Sequence, residues 1–315
     1  MKKILILGAC GQIGTDLTLE LRNRFGEKNV IASDIYSKNE GFLKDGIFEI
    51  IDVLDKKKIS EVIDKYQITE IYHLAAVLSG NAEKNPMKSW EVNMTGLFNI
   101  LELGIEKNLN KIFWPSSIAI FGPNTPRENT PQDTITDPNT VYGISKLAGE
   151  RWIEYYNNKY NLDIRSLRYP GLISYKAEAG GGTTDYAVEI FYEAVRNGKY
   201  ECFLSKNTKL PMMYMDDAIN ATIELMELDK ENLSIKTSYN LSSMSFTPYE
   251  IAKEIKKHIP NFEITYYPDF RQKIADSWPK SIDDSLARKN GGWKHKYNLS
   301  EMTEIMLKEI AKKLN

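Results

Sequence analysis

Tyr142 and Lys146 stand four residues apart, and Ser116 and Ser117 close an apolar run earlier in the chain. A spacing of four brings two side chains to one face of a helix. There the lysine ammonium, together with the positive charge of an oxidised hydride acceptor, favours the phenolate and lowers the tyrosine pKa from about 10 toward the working range. Such a phenolate takes the proton of an alcohol while hydride leaves the same carbon, and a serine hydroxyl beside it holds the alcohol oxygen. The Tyr-x-x-x-Lys spacing also occurs at Tyr155/Lys159 and Tyr249/Lys253, so spacing alone selects none of the pairs. Position does. Tyr142 opens the helix expected after the strand that ends in Pro115-Ser116-Ser117, and the other two tyrosines have no serine so placed.

A second set of residues could hold the hydride acceptor. Gly8-Ala9-Cys10-Gly11-Gln12-Ile13-Gly14 lies between a short apolar run, 3–7, and a helical pattern over 13–25. Glycines at a strand-to-helix turn allow the tight turn, close backbone approach to a pyrophosphate, and close helix packing. The helix N-terminus offers N–H groups and partial positive charge to the phosphates. Asp34 follows Gly14 by twenty residues, where a carboxylate accepts hydrogen bonds from the adenosine ribose. That carboxylate repels a 2′-phosphate, and 34–38 contains no arginine, so the expected cofactor is NAD rather than NADP. Ile35, beside Asp34, and Asp52 with Val53 after the third strand are expected at the adenosine end. For Asp52 a plain turn role at a strand end stays open.

The elements that must position these groups follow from periodicity. Strands are expected at 3–7, 29–33, 46–51, 70–74, 111–116 and 163–169, with helices at 13–25, 57–66, 89–107 and 141–159 between them. Alternating strands and helices imply a parallel sheet covered on both faces. The expected fold class is α/β, a Rossmann-type doubly wound parallel sheet with a smaller C-terminal α/β substrate lobe. Residues 1–172 form the expected NAD-binding domain, 212–242 return to it, and 173–211 with 243–315 build the lobe over the ligand edge of the sheet.

Composition excludes other classes. Forty-one Lys+Arg against 43 Asp+Glu leave a net charge of −2, which supplies no basic field for nucleic acid or anionic lipid. No apolar stretch approaches the roughly 18 residues of a spanning helix. Cys10 and Cys202 form no ligand pair, and His73, His258 and His295 lie far apart, so no metal is expected. The run 4–10 is too short for the core of a signal peptide and is read as a buried strand, which places the protein in the cytoplasm.

Taken together, the glycine loop, Asp34, Ser117, Tyr142-x-x-x-Lys146 and Arg168-Tyr169-Pro170 resemble the extended short-chain dehydrogenase/reductases, the branch of UDP-galactose 4-epimerase. In that branch the catalytic Ser/Thr stands four residues before an aromatic-Gly pair, here Phe121-Gly122, which points to Ser117 over Ser116. The resemblance also implies that His73-Leu74-Ala75-Ala76 line the cofactor, and that 168–172, with Tyr169 and Leu172, touch the nicotinamide carboxamide. The segments SSIAIFGPNTPRENTP (116–131), LRYPGLIS (167–174), GGGTTDYAVEIFYEA (180–194) and LPMMYMDDA (210–218) look like the NAD-dependent L-threonine 3-dehydrogenases of this epimerase-like type. This likeness runs from the first strand to about Trp293. It implies the oxidation of L-threonine by NAD to L-2-amino-3-oxobutanoate and NADH, in threonine catabolism, with Ser117, Tyr142 and Lys146 as the catalytic set.

That substrate has an alcohol, an ammonium and a carboxylate. The alcohol suits Ser117 and Tyr142. Residues 180–182, leading into a helix, offer backbone N–H groups to the carboxylate, with Gly182, Thr183 and Thr184 nearest; a hinge role for the triplet is compatible with this. Asp185 could meet the ammonium or serve as a first-turn helix acid. Ser79 matches a family position near substrate, and Trp278 is either an apolar cap on the pocket or part of the lobe's core. A nucleotide-sugar epimerase or dehydratase of the same branch is the alternative. Surplus apolar residues on 89–107 and 141–159 predict a homodimer through these two helices, which is how the family pairs.

Overall fold

A computed structural model describes residues 2–36 and 43–314, so Ser37 and Lys38 of the arginine-free stretch lie outside the described residues. Six parallel strands form the main sheet: β1 (Ile4–Leu7), β2 (Val30–Asp34), β3 (Phe48–Ile50), β4 (Glu70–His73), β5 (Lys111–Phe113) and, skipping the short β6 (Ser116–Ser117), β7 (Ile164–Arg165). Their spatial order is β3-β2-β1-β4-β5-β7. The order reverses between β1 and β4, and the crevice at the carboxyl ends there is where ligands sit in open α/β sheets.

Alternation along β1 decides which helices cover which face. Ile4 and Ile6 are fully buried with Leu17 and Leu21 of α1 (Gln12–Phe25), while Leu5 and Leu7 face the opposite layer. That layer contains α2 (Lys56–Tyr66) and the long helical passage that follows β4. Each fully buried aliphatic side chain contributes about 1.5–3 kcal/mol, so the two-sided burial of β1 anchors the glycine loop at its end.

Two expected strands are interrupted. The 111–116 run divides into β5 and β6, because Pro115 has no N–H to continue the ladder. The 163–169 run divides into β7 and β8 (Leu167–Tyr169). β6 and β8 pair in parallel, Ser116 with Arg168 and Ser117 with Tyr169, and extend the sheet toward the ligand edge. The 89–107 helix is also not continuous. After α3 (Ser79–Ala82) and α4 (Pro86–Trp90), a π-turn over Glu91–Thr95 leads into α5 (Gly96–Glu106). Such bulges mark places where a helix gives up regularity for another contact. Here Asn93 turns its amide to the loop after β4, accepting from the Val77 N–H at 2.8 Å and donating to its carbonyl at 3.2 Å.

α6 (Val141–Tyr160) precedes β7, and beyond β8 the chain adds β9 (Gly171–Ile173), α7 (Tyr186–Asn197), β10 (Lys199–Cys202) and β11 (Leu210–Tyr214). α8 (Met215–Glu227) packs its Ala218 and Ile223 into the same core as Ile4 and Leu17. β12 (Tyr239–Asn240) joins β8, and β13 (Met244–Phe246) joins β11. The remaining elements are α9 (Pro248–Lys256), β14 (Glu263–Tyr266), α10 (Arg271–Ser277), α11 (Ser285–Gly291) and α12 (Leu299–Leu314). A separate core joins Phe191 of α7, Ile251 of α9 and Met306 of α12 with Ile118–Ile120, just after Ser117. Among the described residues no helix is long and apolar enough to cross a membrane.

Candidate active site

The glycine loop is built by close backbone approach. Gly8 has φ +87, and a Cβ there would lie 2.6 Å from the Ala75 nitrogen. A Cβ on Gly14 would lie 2.1 Å from the Gly8 carbonyl oxygen. Both glycines are therefore needed to seat the loop against Leu74–Ala76 and to start α1 beneath it. Gly11 is different: a Cβ there would make only an ordinary contact, 3.5 Å from Gly8 O, so its glycine keeps the loop's outer face open.

The end of α1 fits a dinucleotide phosphate. Its N-cap, Gly11, supplies no capping side chain, and the first turn has no acid. By contrast α2 is capped by Asp55, α6 by Thr140 and α9 by Thr247. An uncapped N-terminus leaves N–H donors for an anion. Beside it the buried Gln12 Nε2 has no hydrogen-bond partner. Ile13 is half-buried at the same turn, and the buried Cys10 donates its backbone N–H to Asp34 Oδ2 at 2.9 Å. Asp34 thus ties the end of β2 to the loop, with Oδ1 accepting from Ile35 N at 2.8 Å. The Ile35 side chain is exposed. Asp52 caps its own turn by accepting from Leu54 N at 2.9 Å, the plain role left open above, while Val53 is buried against Gly96.

At the other side of the crevice α6 presents Tyr142 and Lys146. The helix comes very close to 114–119: a Cβ on Gly143 would lie 2.1 Å from Ala119 O, and one on Gly149 would lie 2.3 Å from the Trp114 ring. That approach brings Tyr142 beside Ser117, close enough for the serine to act on the phenol, and the serine hydroxyl accepts from Ala119 N at 3.2 Å. Ser116 points elsewhere, donating to Glu150 at 2.6 Å.

In the protein alone burial pushes Tyr142 up to about 12, against a smaller lowering by Ser117; the lowering expected from Lys146 acts together with the charge of an oxidised nicotinamide. Lys146 is buried and donates to the Pro115 carbonyl at 2.6 Å, with its ammonium 4.3 Å from the centre of the Trp114 ring. Burial lowers its pKa to about 7, with Glu150 acting in the opposite sense. The reason is desolvation, which penalises both charged forms before a ligand's own charge is present.

The substrate-side residues come together, though not as free groups. Ser79 and Thr183 hydroxyls lie 3.1 Å apart, and Thr183 N donates to Ser79 Oγ at 3.3 Å. Thr184 packs against Gly171, where a Cβ would lie 2.8 Å from its own. The N–H groups of Gly181 and Gly182, expected to be open to a carboxylate, both donate to Asp185 Oδ2 at 2.7 Å. Asp185 is buried, and desolvation raises its pKa against those two bonds. Its carboxylate therefore folds the triplet instead of facing outward. Trp278 is buried in the core with Phe191 and Ile251, in keeping with the packing role of the two expected for it. Tyr169 is buried with its hydroxyl paired to Thr222, which keeps that hydroxyl out of the crevice, and Leu172 is half-buried.

Sequence reasoning missed Asn93, whose signal was an amide inside an otherwise apolar helix. It also missed Glu150, which stands one turn beyond Lys146 and two beyond Tyr142 on the same face.

Comparison with known proteins agrees with this geometry. Residues 4–242 match the NAD dependent epimerase/dehydratase family. The chain is 49% identical to an uncharacterized epimerase/dehydratase of Staphylococcus haemolyticus, over 99% of both chains. Among solved structures it is similar to the GalE-like L-threonine dehydrogenase of Cupriavidus necator in its holo form, with 51% identity, TM-score 0.95 and coverage of 98% and 99%. A monomeric L-threonine 3-dehydrogenase of metagenomic origin is 47% identical, with TM-score 0.96 and coverage of 99% and 100%. With the glycine loop, the Ser117–Tyr142 contact and Lys146 all carried on the matched residues, the chain belongs to the NAD dependent epimerase/dehydratase family, within the extended short-chain dehydrogenase/reductases.

Proposed function

We propose that the protein is an NAD-dependent L-threonine 3-dehydrogenase. The observation that carries this reading is the joining of Ser79, on α3, to Thr183 of the Gly-Gly-Gly-Thr-Thr-Asp segment, where α3 packs against the Tyr142 helix α6. It is supported by similarity to threonine dehydrogenases over nearly the whole chain. Bound in the cradle of Gly8, Gly11, Gln12 and Gly14, NAD supplies the hydride acceptor. Asp34, a carboxylate at the ribose position, favours NAD over NADP.

The chain's own residues handle the proton. Ser117 holds the hydroxyl oxygen, Tyr142 takes its proton, and Lys146 stabilises the phenolate once the site's charge favours it. Thr183, Thr184 and Ser79 orient the amino acid, and Asp185 holds the loop that presents them. In this reading 1–172 with 212–242 serve the cofactor, while 173–211 with 243–315 close over substrate. A homodimer through the faces of α4–α5 and α6 and a cytoplasmic location complete the proposal. The dimer rests on an exposed aromatic cluster of Trp152, Tyr155 and Tyr160 on α6.

The test is NADH formation by the purified chain with NAD and L-threonine, run beside L-serine, L-allo-threonine and NADP. Turnover with L-threonine and NAD well above the other combinations is expected. Silence with threonine, together with interconversion of UDP-galactose and UDP-glucose, would replace this reading with the nucleotide-sugar one.

A further inference from the structure

The face of α6 that carries Tyr142 and Lys146 continues to Glu150, which is completely buried. Its two oxygens are fully engaged. Oε1 accepts from Ser116 Oγ at 2.6 Å and from Arg168 Nε at 2.9 Å, and Oε2 accepts from Arg168 Nη2 at 2.8 Å. Arg168 is itself buried, and its Nη1 donates to Gln132 O at 2.9 Å and Asn240 Oδ1 at 3.1 Å. A buried ion pair of this kind is weak evidence for stability, since well-packed apolar residues often serve as well. Its placement suggests another role. Ser116 lies between Pro115, whose carbonyl holds Lys146, and Ser117, which meets Tyr142.

We propose that Glu150, clamped by Arg168 and Ser116, is a positioning residue for the chemistry: it fixes 115–117 against α6 and is the counter-charge that keeps Lys146 an ammonium. The proposal rests on the dehydrogenase reading of the site. The other groups around Lys146 do not fill this role. On its own helix lies the Tyr142 ring, 5.6 Å from the ammonium. β4 brings His73, which is neutral and buried, and β8 brings Arg168, a cation. From the loop after α3, the Glu83 carboxylate accepts from Val141 N at 2.9 Å, and on α5 Glu102 and Glu106 both engage Lys56 at the surface. Glu150 is the carboxylate whose charge opposes the loss of the Lys146 proton.

Loss of this counter-charge neutralises Lys146 at the working pH, so phenolate formation at Tyr142 requires a higher pH. The test uses the full chain as Glu150→Gln, which removes the counter-charge while keeping the side chain's shape and its oxygen acceptor, and as Ser116→Ala and Ser116→Thr. Two readouts are taken. The first is the titration of the Lys146 side chain by carbon-13 lysine NMR, assigned with Lys146→Arg, which needs no substrate. The second is the pH profile of kcat with L-threonine. Glu150→Gln is expected to titrate Lys146 about one unit lower, to lose about tenfold in kcat at neutral pH, and to shift its acid limb upward. Ser116→Ala is expected to lose several-fold in kcat with NAD affinity unchanged, and Ser116→Thr to restore it. An unchanged lysine titration and an unchanged acid limb, even with a lowered melting temperature, would make the pair purely structural and overturn the proposal. If Glu150→Gln does not fold, Ser116→Ala decides by turnover: an unchanged kcat would overturn the positioning role. A wild-type chain inactive on threonine would refute the dehydrogenase reading while the lysine titration still judges Glu150.

Discussion

Tyr142 sits where a phenolate is disfavoured, and this makes its proposed role testable. Removing its hydroxyl in Tyr142→Phe should lower turnover by about 10²–10⁴-fold, the range for a lost general base, while NAD binding measured by calorimetry stays within about threefold of wild type. A phenylalanine variant with near-normal kcat would remove Tyr142 from the chemistry. His73 gives a second prediction. The imidazole is buried, neither ring nitrogen has a partner, and burial, with a smaller effect of Lys146, lowers its pKa to about 3. Unfolded, it titrates near 6.5, so in that window the unfolded chain binds more protons than the folded one. The contribution is complete above about pH 6.5 and is lost progressively as pH falls toward about 3. Between pH 7 and pH 5 it amounts to about 2 kcal/mol. Denaturant melts of His73→Leu should show that much less acid sensitivity than wild type; equal slopes would contradict the burial argument. At this scale the glycine loop was singled out by residue type and spacing, the Tyr142/Lys146 pair by its position after a strand, and Ser117 by the family resemblance. The internal engagement of Asp185 was not, because an acid before a helix reads the same whether it turns out to a ligand or back onto its own loop.

At the scale of elements, the sheet positions the site and the interruptions refine it. Periodicity located β1 to β5 and α1, α2 and α6 to within a few residues. It could not show the π-turn at Glu91–Thr95, since an apolar helical pattern continues through it and only the contact of Asn93 with Val77 breaks the regularity. In the proposed function the loop before α7 is where an element's conformation governs substrate. Gly181 has φ +91, and Asp185 accepts from two successive N–H groups to hold the turn. Asp185→Asn removes the charge from both bonds, each of the charge-assisted class worth about 1.5–3 kcal/mol. The expected result is a rise in the KM for L-threonine of about tenfold or more with little change in NAD affinity. A loss confined to NAD binding would place this loop on the wrong side of the crevice.

For the whole molecule, similarity to known proteins and the order β3-β2-β1-β4-β5-β7 agree on a doubly wound sheet with its ligand crevice between β1 and β4. The surface of α6 adds a quaternary prediction. Phe98 of α5 meets Trp152 with ring centres 5.0 Å apart, and Trp152 and Tyr155 remain 41% and 48% exposed. Exposed aromatic patches of this kind mark contact surfaces. Light scattering should give a dimer for the wild type and a monomer for Trp152→Glu. A wild-type monomer, as in the similar metagenomic enzyme, would refute the pairing without touching the chemistry. Periodicity foretold the α/β class and a surplus apolar face on 141–159, whereas which of its aromatic side chains stay uncovered became visible only in the fold. The central claim is hydride transfer from carbon 3 of L-threonine, and it is tested most directly with threonine deuterated at that carbon. Mass spectrometry of the nicotinamide after incubation with NAD should find the deuterium in the reduced cofactor. Unlabelled reduced cofactor, or none, would contradict the account.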